Sequence, residues 1–308
     1  MTKPLTSRRG STVRYRAPHQ DARIQNIRSM KRPGGCMRIR LLGELEAVLN
    51  DVSITPTAAK PRQVLALLAL NARRIVSVQS LVEELWGHHP PPSVRTTLQT
   101  YILQLRKLID SALPAGSGRT AKDILVTRFD GYLLDIVPEN VDVCSYERLV
   151  KAGQQALARG DHEAVSTLLG MALTKWQSRA LVDVRIGLLL SLEVARLEES
   201  RLNALEARIA ADIQLGRHQS VLSELTVLTA QQPMHENLCA HYMVSLYRSG
   251  RQWQALQAYK TLRTTLNREL GVEPSLRLRR LQQAVLRSEA DLDVLVEPVP
   301  DPARATNA

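Results

Sequence analysis

The chain has 308 residues, 44% of them apolar and 4% aromatic, and a formal net charge of +11. That is room for about two domains with proper cores, and too apolar for a disordered chain. A single phenylalanine, Phe129, and few other aromatics argue against stacking platforms for single-stranded nucleic acid, and no run of 18 apolar residues offers a membrane span.

The positive charge is uneven. Residues 1–36 hold nine Lys/Arg against one Asp, residues 37–138 hold twelve against nine acids, and the remainder carries twenty of each. Basicity is therefore mostly a property of the N-terminal tail. Residues 1–36 lack periodicity and end in Pro33-Gly34-Gly35. They read as a disordered basic extension: an arm adding phosphate affinity, a dispensable extension, or sequence upstream of a start at Met37. They lack the apolar stretch of a secretory signal.

Patterned sequence begins with MRIRLLGELEAVL from Met37, a strand, with Asn50-Asp51 as a turn into a second strand at VSI. KPRQVLALLAL (60–70) is the first helix, with Pro61 in its first turn. Ser77 caps a second helix whose Val78, Leu81, Val82, Leu85 and Trp86 fall on one face. GHHPPPS interrupts, and Ser93 caps a third helix over Val94–Ile109. There Val94, Leu98, Ile102, Leu105 and Ile109 form the apolar stripe, while Arg95, Thr96, Gln99, Leu103, Arg106 and Lys107 face away. After a spacer at Gly116-Ser117-Gly118 come two strands, DILVTR and YLLDIV, joined through Asp130-Gly131 as a hairpin turn. Strands, three helices and a hairpin make a winged helix-turn-helix over 37–138, with Arg128 on the wing.

From Asp142 the pattern is helical. Gly160, Gly216 and Gly250 recur at junctions, the last two 34 residues apart, the tetratricopeptide period. Counting from each glycine, Val165, Val221 and Ala255 stand at +5, Leu169, Leu225 and Tyr259 at +9, and Ala172, Leu228 and Leu262 at +12. A long helix ending in IAADIQLG separates the first two junctions. The expected fold is mainly α: an N-terminal winged helix-turn-helix (α+β), then an all-α tetratricopeptide-like repeat domain over 139–290. A disordered tail follows at 291–308.

The two halves together resemble the Streptomyces antibiotic regulatory proteins, or SARP-type activators, which join an OmpR-type winged helix to a bacterial transcriptional activator domain. The resemblance rests on MRIRLLGELEA, KPRQVLALLAL, VSVQSLVEELWG, LQTYILQLRKLI and TRFDGYLLDI, then LEESRLNALEARIAADIQLGRH, LYRSGRQWQALQAYKTLR and ELGVEP. It implies a cytoplasmic, nucleoid-associated, sequence-specific activator of an antibiotic gene cluster. Such an activator binds direct repeats of double-stranded DNA as a homodimer or head-to-tail assembly and recruits RNA polymerase holoenzyme. With no G-x-x-x-x-G-K-[ST], no nucleotide-binding domain is expected.

The resemblance puts the recognition role on Arg95, Thr96, Gln99, Thr100 and Leu103. Gln99 can pair bidentately with adenine, and the threonines can read bases or bond to backbone. Leu103 could touch a thymine methyl or lie shielded by the wing. Arg106 and Lys107 are the phosphate anchors, with Arg62, Arg74 and Arg128 as weaker candidates against a solvated role. His88, His89, Pro90 and Pro91 form a polymerase-contact loop or a plain connector. Adjacent histidines without partner spacing do not make a metal site. Cys36, Cys144 and Cys239 read as free thiols, and Trp86, Trp176 and Trp253 as packing residues. No cofactor and no catalytic constellation is expected. The competing reading is a protein–protein adaptor whose winged helix has lost specific DNA binding, since residues 37–138 carry only +3.

Overall fold

The computed structural model describes residues 37–114 and 118–288. The extension at 1–36, the tail at 291–308 and most of the Gly116–Gly118 spacer lie outside the described residues. The expected first strand is two: β1 (Met37–Arg40) and β2 (Glu46–Leu49), paired antiparallel with Met37 opposite Leu49. The intervening residues leave the ladder because Leu41, Leu42 and Leu45 all turn into the core. Asn50 and Asp51, both at positive φ, turn the chain into β3 (Val52–Ser53), and Asn and Asp tolerate that conformation best among residues with side chains.

The helix-turn-helix follows. α1 (Ala59–Leu70) is nearly all buried, and β4 (Ile75–Ser77) leads into α2 (Val78–Trp86), whose first turn Ser77 caps by accepting the Ser80 N–H at 3.0 Å. α3 (Val94–Ala112) runs three residues beyond the expected end. Ser93 holds its N-cap position but makes no side-chain cap. Asp123 and Ile124, expected in a strand, belong to the short α4 (Ala121–Ile124), closed by a reciprocal Thr120–Asp123 cap. β5 (Leu125–Arg128) and β6 (Gly131–Leu134) form the wing, in a sheet of order β4-β6-β5.

The helical half comprises α5 (Asp142–Ala158), α6 (His162–Leu173), α7 (Leu188–Gln214), α8 (Leu222–Gln231), α9 (Glu236–Arg248), α10 (Gln252–Leu270) and α11 (Leu276–Leu286). Gly160, Gly216 and Gly250 adopt φ of 71°, 74° and 74°. After each, the next N–H reaches back five residues, Asp161 to Ala156, Arg217 to Asp212 and Arg251 to Leu246. This is one helix-ending motif used three times, and its left-handed residue suits glycine. The repeat register holds in packing: Val165, Val221 and Ala255 are buried, as are Leu169, Leu225 and Tyr259.

The core does not break where the two sequence patterns meet, near residue 138. One cluster runs from Met37 through the winged helix and α5–α6 to Ala211, and a second runs from Ile209 to Val285. The 27-residue α7, about 40 Å long, serves both. Three carboxylates tie the halves. Asp142 accepts the N–H groups of Leu41 and Leu42 at 2.9 and 3.0 Å, and of Val143 at 2.8 Å. Burial raises its pKa, with the three N–H donors acting in the opposite direction. Asp183 accepts from Leu45 N–H at 2.8 Å and pairs with Arg62. Glu84 of α2 accepts the Gly187 N–H at 2.6 Å and the Leu190 N–H at 3.0 Å, so a buried carboxylate from the helix-turn-helix caps α7. Gln63 of α1 donates to the same carboxylate at 2.9 Å.

In the second cluster His241 of α9 is buried beside Glu206, His235 and Arg277 at a cavity of about 640 Å³ between α5, α7, α9 and α11. Burial pushes its pKa down to about 4, while a hydrogen bond to Glu206 at 2.9 Å raises that of His235.

Glu84→Ala leaves the Gly187 and Leu190 N–H groups without an acceptor, while Gln63 keeps the residue-84 carbonyl, so it should lower unfolding stability in urea by about 3 kcal/mol. An unchanged midpoint would mean that the cap contributes nothing. His241 is neutral when folded, so between pH 6.5 and about 4 the unfolded chain takes up a proton that the folded chain refuses. Stability should fall as pH drops through that window, by on the order of 3 kcal/mol, and His241→Leu should flatten the fall. The His235 contribution has the opposite sign and declines as pH rises above 6.5.

Candidate nucleic-acid interface

α3 divides along its length. Leu98, Ile102, Leu105, Ile109 and Ala112 are buried against the core, as the apolar stripe predicts. Arg95, Thr96, Gln99, Thr100, Leu103 and Lys107 are exposed on the other side. Leu103 is 55% exposed, so the wing does not shield it. The Thr100 hydroxyl donates to the Thr96 carbonyl at 3.0 Å, which commits its proton and leaves it able to accept.

The wing lies along α3. Arg106 donates through Nε and Nη2 to the Leu125 carbonyl at 3.1 and 2.7 Å, and through Nη2 to Thr127 Oγ1 at 2.8 Å. At the other end Arg95 Nη1 stands 3.9 Å from Asp130 Oδ1. β5 therefore runs antiparallel to α3 and brings the wing tip beside the helix N-terminus. Between them is a cleft of about 230 Å³ lined by Arg95, Gln99, Thr127, Phe129 and Tyr132.

The wing turn differs from the expected Asp130-Gly131. Arg128 pairs with Gly131, so Phe129 and Asp130 are the two loop residues. Phe129 carries the positive φ, 45°, which costs a side-chain-bearing residue about 1–2 kcal/mol, and its ring is 99% exposed. Gly131 lies in the strand and is needed for space: a Cβ there would meet the Val76 carbonyl oxygen at 2.6 Å. The turn is also pinned from behind, since Val78 N–H of α2 donates to the Asp130 carbonyl at 2.8 Å.

Three of the expected phosphate contacts are placed otherwise. Arg62 is turned inward, donating to the Pro56 carbonyl at 3.0 Å and pairing with Asp183, so its fork is taken up within the chain. Arg106, expected to be a principal phosphate anchor, is held by β5 and serves to fix the wing. Arg74 is exposed but precedes β4, whose Ile75 pairs with Leu133 and Ser77 with Gly131, so it sits at the opposite end of the sheet from the wing tip. Lys107 and Arg128 remain exposed. The loop from Gly87 to Ser93 displays His88, His89 and Pro90 at the surface, with Pro91 half-buried. Among the described residues no group of His, Cys, Asp and Glu could hold a metal ion.

Trp86 stacks on Tyr101 of α3 at 6.2 Å, and Trp176 meets Tyr146 edge-on at 5.5 Å, both in packing positions. Trp253 is the exception. It is 73% exposed, because it stands at the start of α10 while that helix buries Ala255, Tyr259 and Leu262 instead. Two elements of the site escaped the sequence pattern: Phe129, hidden within an ordinary turn motif, and Glu84, which looks like any acid in an amphipathic helix.

Comparison with known proteins follows the same division. Residues 52–134 match the model of the transcriptional regulatory protein C-terminal domain, and residues 141–286 match the bacterial transcriptional activator domain. The chain is 53% identical over 257 residues to Regulatory protein DnrI of Streptomyces peucetius, covering 83% of this chain and 94% of that one. It is 37% identical over 290 residues to Transcriptional regulator RedD of Streptomyces coelicolor, covering 94% and 80%. Among solved structures, Mycobacterium tuberculosis EmbR in complex with low affinity phosphopeptide superposes with a TM-score of 0.77 at 31% identity, over 85% of this chain and 69% of that one.

The two arginines held by the protein itself have distinct expected phenotypes. Arg62→Ala should lower the urea midpoint, because it removes the links from α1 to Asp183 and to the Pro56 carbonyl. Arg106→Ala should leave the midpoint within about 1 kcal/mol but speed amide exchange across β5 and β6. Equal exchange in the wing with and without Arg106 would show that the guanidinium does not hold it.

Proposed function

The chain belongs to the SARP-type transcriptional activators, and on that premise we propose that it switches on a secondary-metabolite gene cluster by docking α3 into the major groove of promoter DNA. The observation that carries this reading is the split of α3. One face is anchored in the core, and the other presents Arg95, Thr96, Gln99, Thr100 and Leu103 to solvent beside a braced wing. In this reading Gln99 pairs with an adenine edge and Leu103 covers a thymine methyl. Lys107 and Arg128 neutralise phosphates on either side.

No bond is made or broken in this mechanism. Phosphate contacts set the register and a salt-dependent affinity, and base contacts choose the site. Binding at direct repeats places two copies head to tail, and the exposed loop Gly87–Ser93 is our candidate for the polymerase contact. Because α7 caps onto α2 through Glu84, a copy that binds DNA orients its helical array at the same time. No helix among the described residues is long and apolar enough to cross a membrane.

The test is binding of the full chain to duplexes selected from a randomised pool, across a salt series. The expected result is a preferred repeat sequence with a linear log–log salt dependence. Lys107→Ala should reduce that slope by about 1. Gln99→Ala should lose roughly 1–3 kcal/mol of discrimination at one base pair while leaving the slope alone. A chain that selects no sequence at low salt, or whose slope ignores both Lys107→Ala and Arg128→Ala, would falsify the docking mode.

A further inference from the structure

The wing tip exposes an aromatic ring where a hairpin ordinarily places a glycine or a small polar residue. Phe129 is the chain's single phenylalanine, and its ring is 99% exposed, more than any other large apolar residue described. Its φ of 45° belongs to the region that glycine occupies without strain. The backbone on both sides is fixed, Arg128 by its pairing with Gly131 and Asp130 by the hydrogen bond from Val78 N–H. The ring is thus presented on a rigid two-residue turn and makes no contribution to the core. A side chain that is both strained and solvated gains its apolar burial from something outside the chain.

Its neighbours indicate what that is. Arg128 and Thr127 flank it and are exposed, and Asp130, the one acid at the tip, lies 3.9 Å from Arg95 of α3. The immediate surface is therefore basic and polar, suited to a sugar–phosphate wall and not to an apolar protein groove. The tip stands beside the N-terminus of α3, so with α3 in the major groove the ring meets the strand that borders it, and the minor groove lies beyond. Apolar side chains entering there insert between base steps and kink the duplex toward the major groove.

Resting on the reading of α3 as the recognition helix, we propose that Phe129 is a wedge that partly unstacks one base step in the minor groove flanking the contacted site. The wedge adds a preference for a deformable pyrimidine–purine step at a position where no side chain reads a base edge. It also bends the DNA around the recognition unit, away from the neighbouring copy's half-site or toward it according to repeat spacing.

The experiment uses the full chain and a single-site duplex taken from the pool selection. 2-Aminopurine is placed at successive flanking steps, and end-labelled fluorophores report the bend. Wild type should brighten one flanking step and shorten the end-to-end distance. Phe129→Ala should bind about tenfold more weakly and abolish both signals. Phe129→Leu should keep most of each. Phe129→Gly should melt at a higher temperature than wild type, since it relieves the turn, yet lose the bend as Phe129→Ala does. That combination separates the wedge from any fault in folding.

Unchanged affinity, bend and fluorescence in Phe129→Ala would overturn the proposal. So would a loss confined to duplexes carrying two tandem sites, because the ring would then be touching a second protein copy. A wild-type chain that binds its selected duplex without unstacking any flanking step would remove the wedge but leave the reading of α3 intact. One that selects no duplex removes both.

Discussion

The Glu84 carboxylate at the start of α7 is the contact on which the architecture turns. A helix N-terminus carries unsatisfied N–H groups and a partial positive charge, and at the start of the 27-residue α7 two of these groups face the buried Glu84 carboxylate. Glu84 meets two of those donors and the Gln63 amide from a position on the helix-turn-helix. Asp142 and Asp183 repeat the solution at the loop between β1 and β2, each accepting backbone N–H groups that left the ladder there. One carboxylate accepts several hydrogen bonds at once through its two oxygens. The winged helix consequently shares its core with α5, α6 and α7 as far as Ala211, and α3 and these helices form one packed piece.

That rigidity shapes how charge is used. Arg62 and Arg106 supply guanidinium forks to carbonyls and an acid within the chain, because the planar fork bridges two acceptors where a lysine would reach one. The basic charge left exposed along α3 and the wing is small and placed: Arg95 at the head of α3, Lys107 further along it, Arg128 at the wing tip. A modest net charge over this half is thus compatible with tight docking, since the salt-dependent affinity follows the number of phosphates met and not the total charge. The wing braced by Arg106 and Val78 presents Phe129 in a fixed direction, so shape can add to base reading without a flexible element.

Much of this was legible in the chain. The 3.6-residue stripe of α3, the Ser77 cap, the Asn50-Asp51 turn and the glycine-spaced register of the repeats are local signals, each set by backbone sterics or by which face of a helix must leave water. They suffice for the fold class, the order of elements and the outward face of α3. The division of labour among arginines was not legible, because a sequence records that a guanidinium is present and not which carbonyl lies within its reach. Nor were the shift of the wing turn onto Phe129 and Asp130, the exposure of Trp253 and the capping role of Glu84. Each depends on a partner far along the chain: Gly131 on Val76, Trp253 on the face of α10 that the second core selects, Glu84 on Gly187 more than a hundred residues away. Period and turn chemistry act over a few residues and fix local structure. Hydrogen bonds and close approaches join residues that only folding brings together, and so the tertiary structure alone decided which arginines are held within the protein and which charges stand exposed.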